Sequence, residues 1–379
     1  MDICKRGKAP QGSSKKEKGH VMLKAEITRR NFLGATAALA ATVGLAGCGG
    51  GSASTTESAG GAGADAASYK IEMVTDTGGV SDQSFNQSSW EGLQQLESDK
   101  GWEVSYIESK QESDYATNLD KAVDDEANLV WGIGFNMADA VAHSAQTNPD
   151  VQFAIIDNAY DESQSNLTGV TFRAQEPSFL VGYIAARTTK TNKIGFVGGI
   201  TGVVIDQFDY GYRAGVDYAN KEAGTSVEVQ GQYADSFSDA AKGKAIASKM
   251  FSDGCDIVFH AAGGAGAGVI EAAKEANQYA IGVDRDQNYL APDNVITSAL
   301  KRVDKAIIEV STQIEAGTLK GGSNIELGFK EDCVGIPEKH DLIADDVYQA
   351  ALALSEKIKD GSIVPPMNKD SYDKYVASL

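Results

Sequence analysis

Ile71-Glu-Met-Val-Thr-Asp-Thr-Gly-Gly-Val-Ser-Asp-Gln-Ser-Phe-Asn-Gln87 runs an apolar strand pattern into an aspartate, two glycines and a second aspartate, and a helix then opens at Ser84-Phe85-Asn86. In an open α/β sheet, ligands collect outside the carboxyl ends of the strands, where helix N-termini aim free N–H groups outward. Asp76 as an acceptor and Phe85 as a flat apolar face suit a small polar ring compound at such a place. A capped strand-to-helix turn accounts for the same residues, because Asp and Ser favour those positions on local grounds alone. The surrounding chain has to decide between the two.

Downstream, apolar strand patterns alternate with helix-period segments. Strands are predicted at 70–75, 104–108, 129–134, 151–157, 169–172, 193–198, 227–232, 256–261, 280–284 and 295–300. Helices are predicted at 87–98, 115–126, 138–147, 177–188, 211–223, 240–251, 268–276 and 303–316. Strand, helix, strand at this spacing means parallel sheets joined by right-handed crossovers. Ten strands exceed one comfortable core, which favours two lobes. The boundaries expected are 69–173 plus 302–320 for the first lobe and 174–301 plus 321–379 for the second. Strand ends at Thr75-Asp76, Gly134-Phe135, Asp157-Asn158, Gly198-Gly199, Gly263-Gly264 and Val283-Asp284 would then face one cleft and form a hydrogen-bonding cage for a hydroxylated ligand.

The N-terminus speaks to compartment. Thr28-Arg-Arg-Asn-Phe-Leu-Gly34 leads into an uncharged run from Phe32 to Gly47, which ends Leu45-Ala-Gly-Cys48. A charged segment, a short apolar one and small residues before a cut make a secretory signal. The run is shorter than the ~20 residues a membrane span needs. The arginine pair is similar to a twin-arginine export signal and Leu-Ala-Gly-Cys to a bacterial lipobox, which implies a lipid on Cys48. Residues 49–68, almost all Gly, Ala, Ser and Thr, read as a flexible tether behind a 1–48 signal peptide.

Composition excludes several partners. The net charge is −19, and residues 1–47 carry nine Lys/Arg against three Asp/Glu, so the remainder stands at −25. A body this acidic repels nucleic acid as a polymer. Four cysteines are too few for a disulfide framework; Cys255 and Cys333 read as single buried thiols, with pairing as the alternative. No metal-ligand spacing occurs, and neither a metal nor a cofactor is expected.

Catalytic patterns fail one by one. In Gly263-Gly-Ala-Gly-Ala-Gly268, a dinucleotide loop starting at Gly264 would need glycine where Val269 stands. The Gly243-Lys244 pair is followed by alanine, so no P-loop forms, and Gly-x-Ser-x-Gly is missing. Asp206/Asp209 and Asp284/Asp286 could serve as carboxylate pairs, but solvated turn residues are the simpler reading. The glycine loop has another use, since backbone N–H groups without side chains can approach a sugar hydroxyl or a carboxylate closely.

Thr75-Asp-Thr-Gly-Gly-Val-Ser-Asp-Gln-Ser-Phe-Asn-Gln87 resembles the opening motif of the basic membrane protein family, the PnrA-like lipoproteins that serve ABC transporters. Gly132-Ile-Gly-Phe135 with Asp139-Ala140, Phe153-Ala-Ile-Ile-Asp157, Phe237-Ser-Asp239, Ala261-Ala-Gly-Gly264, Gly282-Val-Asp-Arg-Asp-Gln287 and Thr297-Ser-Ala-Leu-Lys301 follow in order. The resemblance implies a type I periplasmic-binding fold, an α/β architecture of two doubly wound parallel-sheet lobes joined by a hinge. It also implies a purine nucleoside ligand, an ABC permease as partner, a monomer and no enzymatic activity. By the same resemblance Phe85 and Phe237 sandwich the base, Asp76 and Asp157 accept from its edge, and Asp139 rivals Asp157. Asp284, Lys301 and the Gly263-Gly264 backbone hold the ribose, with Asn86 and Phe135 as further contacts. Thr77-Gly78 and His260 depart from the family pattern and bear on base preference. Another small polar solute, or a sensor passing its closed state to a membrane partner, is the alternative.

Overall fold

The computed structural model describes residues 68–162, 164–319 and 321–379; the segments expected to be a signal peptide and a tether, with Cys48 between them, lie outside these. The chain opens with β1 (Lys70–Thr75), α1 (Phe85–Lys100), β2 (Glu103–Ile107), α2 (Tyr115–Asp124), β3 (Leu129–Ile133), α3 (Ala138–Thr147), β4 (Gln152–Ile156) and β5 (Leu167–Phe172). It continues through α4 (Gln175–Thr188), β6 (Lys193–Gly198), α5 (Val203–Ala223), β7 (Glu228–Tyr233), α6 (Ala240–Ser252), β8 (Ile257–Ala261), α7 (Ala265–Ala276), β9 (Tyr279–Asp284) and β10 (Val295–Lys301). The last elements are α8 (Val303–Glu315), β11 (Ser323–Leu327), β12 (Val334–Gly335), α9 (Asp345–Lys359) and α10 (Lys369–Ser378).

Two six-stranded sheets result, ordered β11-β5-β4-β3-β1-β2 and β12-β10-β9-β8-β6-β7. Every pairing is parallel except that of the two-residue β12 with β10. The apolar runs Leu129–Ile133 and Ile257–Ala261 are wholly buried, as strands covered by helices on both faces must be. The edge strands β2, β7 and β11 are partly exposed, and their sequences are correspondingly polar. In each sheet the order reverses beside the first strand of the lobe, between β1 and β3 and between β6 and β8. Doubly wound folds open a ligand crevice at that reversal.

The backbone passes between the sheets three times: after β5, after β10 into α8, which packs on α1, and after β11. Because β11 pairs with β5, Ser323–Leu327 belongs with the first sheet, and the last crossing follows Leu327. The short β11 and β12 had no clear strand pattern in their sequences. Arg173, at the first crossing, donates its N–H to the Leu327 carbonyl at 2.7 Å and its guanidinium to Glu176, Glu326 and Glu331. The first and third crossings are thereby tied together.

α1 opens at Phe85, as the Ser84-Phe85-Asn86 reading expects, while α4, α5 and α7 begin earlier than predicted, at Gln175, Val203 and Ala265. The β-branched run Val203-Val204-Ile205 and the glycines of 263–268 oppose helix locally, and tertiary packing overrides that preference.

Glycine lets α4 and α5 pack backbone to backbone. A methyl at Gly215 would fall on the Phe179 carbonyl oxygen, and one at Gly182 on that of Tyr212. Neither carbonyl can move without shifting its helix, so Gly215→Ala is expected to lower unfolding stability by about 1–3 kcal/mol. Denaturant melts would check this, and an unchanged midpoint would mean the helices separate freely.

Candidate functional site

Five of the six strand ends named from the sequence meet in one cavity between the two sheets; the sixth, Gly198-Gly199, does not line it, and Gly199 lies against the Phe237 ring instead. Asp76, Phe85, Asn86, Phe135 and Asp157 line it from the first lobe, and Phe237, Gly263, Asp284 and Lys301 from the second. Nine of the ten ligand contacts expected from the resemblance are therefore brought together. The tenth, Gly264, lies against the Phe237 carbonyl and the Asp82 side chain rather than on the cavity wall. Asp139, the rival to Asp157, sits exposed on α3 and does not line the cavity.

The first-lobe wall is organised by a buried aspartate. Asp82 accepts the backbone N–H groups of Ser84, Asn86 and Gln87 at 2.8–3.1 Å, which caps α1 and aims Phe85 inward. The Asn86 Nδ2 donates both to Asp82 Oδ2, at 3.0 Å, and to Asp76 Oδ1, at 2.8 Å. Two carboxylate acceptors fix the amide orientation, because a flipped Asn86 would turn its oxygen onto them. The Asn86 Oδ1 is consequently a buried acceptor without a partner in a wall already rich in acceptors. Burial pushes the Asp76 carboxyl up to about 6, against the hydrogen bonds from Gly78 and Asn86 that lower it. Burial likewise raises Asp82.

The second wall centres on Lys301, the last residue of β10. Its ammonium donates to Asp157 Oδ2 at 2.7 Å, lies 3.7 Å from Asp284 Oδ1 and sits 4.4 Å from the centre of the Phe85 ring. Burial pulls this lysine down, but the two carboxylates outweigh it and the net shift is upward. Asp284 also accepts the Ser84 hydroxyl across the cleft at 2.5 Å. Burial pushes Asp284 up to about 6, with Lys301 opposing. Asp157 and Asp284 each follow or end a strand with positive φ, 69° and 63°, a backbone state that Asp tolerates better than most residues. Asp157, expected at the base edge, shares one charge cluster with Lys301 and Asp284.

Of the two rings expected to sandwich a base, Phe85 enters at the start of α1 and Phe237 from the loop before α6. Phe237 meets Phe135 edge-on, with ring centres 6.1 Å apart. Gly263, at φ +52°, lets the loop before α7 pass beneath Phe237. Sequence reasoning missed Val204, Ile205 and Phe208 on the first turns of α5, because that segment did not read as helix. Asp82 and Ser84 lie in the opening motif with no role expected of them; the three-residue spacing from Asp82 to Phe85 is the signal that marks them.

Other acidic groups are committed elsewhere. Asp209 accepts from Arg213 at 2.6 Å and from the Tyr233 hydroxyl at 2.9 Å, and Asp286 accepts the Asn288 N–H at 3.0 Å. Cys255 and Cys333 are buried and free. Among the described residues no helix is long and apolar enough to cross a membrane, and no group of side chains could hold a metal ion.

Comparison with known proteins gives concordant results. The family described as ABC transporter substrate-binding protein PnrA-like matches residues 70–369. The CD4+ T-cell-stimulating antigen of Listeria monocytogenes is 43% identical over 319 residues, covering 79% of this chain and 88% of that one. Basic membrane protein A of Borreliella burgdorferi is 43% identical over 312 residues, covering 81% and 90%. Among solved structures, an ABC transporter solute-binding protein from Aeropyrum pernix K1 superposes with a TM-score of 0.75 at 27% identity, over 82% of this chain and 98% of that one. With the match spanning nearly the whole two-lobed body, the chain belongs to the PnrA-like family of ABC transporter substrate-binding proteins.

Proposed function

We propose that the protein binds a purine nucleoside between its lobes and delivers it to an ABC permease, without chemistry of its own. One observation carries the reading: two phenylalanines from opposite lobes enter a cavity where Asp76 and Asp82 put carboxylates on one wall and a lysine stands between two carboxylates on the other. A purine presents flat faces to Phe85 and Phe237, as offset stacking requires. Its N–H edge would meet Asp76 and the unpartnered Asn86 Oδ1. The ribose hydroxyls would meet Asp284, where a carboxylate accepting two vicinal hydroxyls forms charge-assisted bonds, and Lys301 would donate to the ribose oxygens. Asp157 then holds Lys301 in place rather than reading the base. Substrate-binding proteins of this family work outside the cytoplasm at a membrane; a lipid on Cys48 would supply the anchor and residues 49–68 the reach.

Calorimetry of the purified protein against inosine, guanosine, adenosine, their free bases and ribose tests the assignment. Binding of nucleosides but not ribose is expected, and failure of every nucleoside to bind would end the nucleoside reading. Phe85→Ala is expected to weaken nucleoside binding by about 1–3 kcal/mol, the usual worth of base–aromatic stacking. Unaltered affinity would make Phe85 a core residue and nothing more. Turnover of inosine or adenosine would replace transport binding by catalysis.

A further inference from the structure

The Gly282-Val-Asp-Arg-Asp-Gln287 segment and His260 contain a construction the ligand cavity does not use. Gln287 is wholly buried, although it follows the strand end at Asp284 in a loop. Its backbone N–H donates to the Ser298 hydroxyl at 3.1 Å, and its side-chain Oε1 accepts the Val283 N–H at 3.0 Å. The same Oε1 lies 3.0 Å from His260 Nε2. An oxygen already accepting a backbone N–H can only accept again, so the His260 proton is on Nε2. His260 is itself fully buried and held neutral, since burial pulls it down to about 4. Glycine at 266 makes room for the ring, because a methyl there would overlap it.

With both partners on Oε1, the Gln287 amide cannot flip, and Nε2 must point away from them. It points across the cleft: Nε2 donates to the Gln83 carbonyl of the first lobe at 3.0 Å. The Tyr289 hydroxyl, two residues on, donates to the Gln83 side-chain Oε1 at 2.7 Å. Gln83 holds a left-handed backbone at φ +59°, an uncommon state for a non-glycine residue that persists only where the surroundings hold it. Gln83 immediately precedes Ser84, Phe85 and Asn86, so whatever grips it also sets where α1 begins. Neither Gln287, Tyr289, His260 nor Gln83 lines the ligand cavity.

We infer that Gln287, oriented by His260, is a closure latch: with Tyr289 it grips Gln83 across the cleft and sets how long the closed state lasts, without touching the ligand. The latch is a positioning device, and it goes beyond the nucleoside assignment because closure of any ligand would use it. Only the Gln83 bonds form on closing; those to Val283, Ser298 and His260 lie within the second lobe and survive opening.

Hydrogen–deuterium exchange of the protein without added ligand, together with stopped-flow release of inosine, guanosine and adenosine, tests the latch. In Gln287→Leu, exchange should quicken at residues 134–138 and 199–206, cleft segments on the two lobes that do not touch Gln287. Nucleoside release should quicken roughly threefold to tenfold with association unchanged, the range expected for one neutral hydrogen bond made only in the closed state. Tyr289→Phe, at a half-exposed position, should move both readouts the same way by a smaller factor and decides the matter if the buried variant does not fold. Faster exchange confined to 83–87 and 283–289, with release unaltered, would make these residues local structure and overturn the latch. Because exchange needs no ligand, a latch failure is separable from a failure of the nucleosides to bind.

Discussion

Lys301→Met should cost the closed state about 3–5 kcal/mol, the penalty for leaving buried charge without its partner, and so lower nucleoside affinity by about two to three and a half orders of magnitude. The geometry that demands this is compact. One ammonium, 2% exposed, neutralises Asp157 and Asp284 from opposite lobes and covers the Phe85 ring. Opening the lobes rehydrates the carboxylates, so the loss should appear as weaker closure more than as unfolding. The pH dependence has a definite sign. Asp284 already sits near 6 with Lys301 beside it; removing the cation raises it further, and protonation then relieves the repulsion. The affinity defect of Lys301→Met relative to the native protein should accordingly shrink from pH 8 to pH 5. Calorimetry at both values checks it, and an equal defect at each would mean the lysine acts by shape alone.

Asp76→Asn should move stability and binding in opposite directions. The folded pKa of Asp76 is about 6, above the ordinary 3.8. A carboxyl raised on folding favours the folded state below its unfolded pKa, and that contribution is lost as pH rises through about 6. At pH 8 the ionised, buried group therefore destabilises the fold, by up to about 3 kcal/mol for a shift of this size. Asparagine keeps an acceptor for the Gly78 N–H and Asn86 Nδ2 while discarding the charge. Denaturant melts should show the variant more stable than the native protein at pH 8, with the gain fading towards pH 4. Nucleoside affinity should fall by about 1.5–3 kcal/mol, the worth of a hydrogen bond to a charged group. A variant that is destabilised at pH 8 would mean the carboxylate is better solvated than its burial indicates.

Much of this is legible in the sequence. Strand ends carry their own punctuation, and Thr75-Asp76, Gly134-Phe135 and Val283-Asp284 stop apolar runs with residues that suit turns. The first turns of α5 were not legible, because Val203-Val204-Ile205 has strand propensity and becomes helical only through packing. Asp82 looked like a turn residue, and its work as the hub for Ser84, Asn86 and Gln87 depends on three N–H groups converging in space. β11 itself was not legible for a similar reason: Ser323-Asn-Ile-Glu-Leu327 is an edge strand with little burial to pattern it.

By itself, the sequence determined the alternation of strands and helices, hence two parallel sheets, and it marked most of the residues that end strands at the cleft. Local propensity and hydrophobic period carry that information, because each operates over a few neighbours. Only the tertiary structure decided which of those residues share a charge. Asp157 and Lys301, 144 positions apart, are joined by a 2.7 Å hydrogen bond, and Asp284 accepts from Ser84 across 200 positions. Such partners are selected by closure of one lobe on the other. Burial there turns two aspartates and a lysine into a cluster whose energy far exceeds what the same groups would have in water.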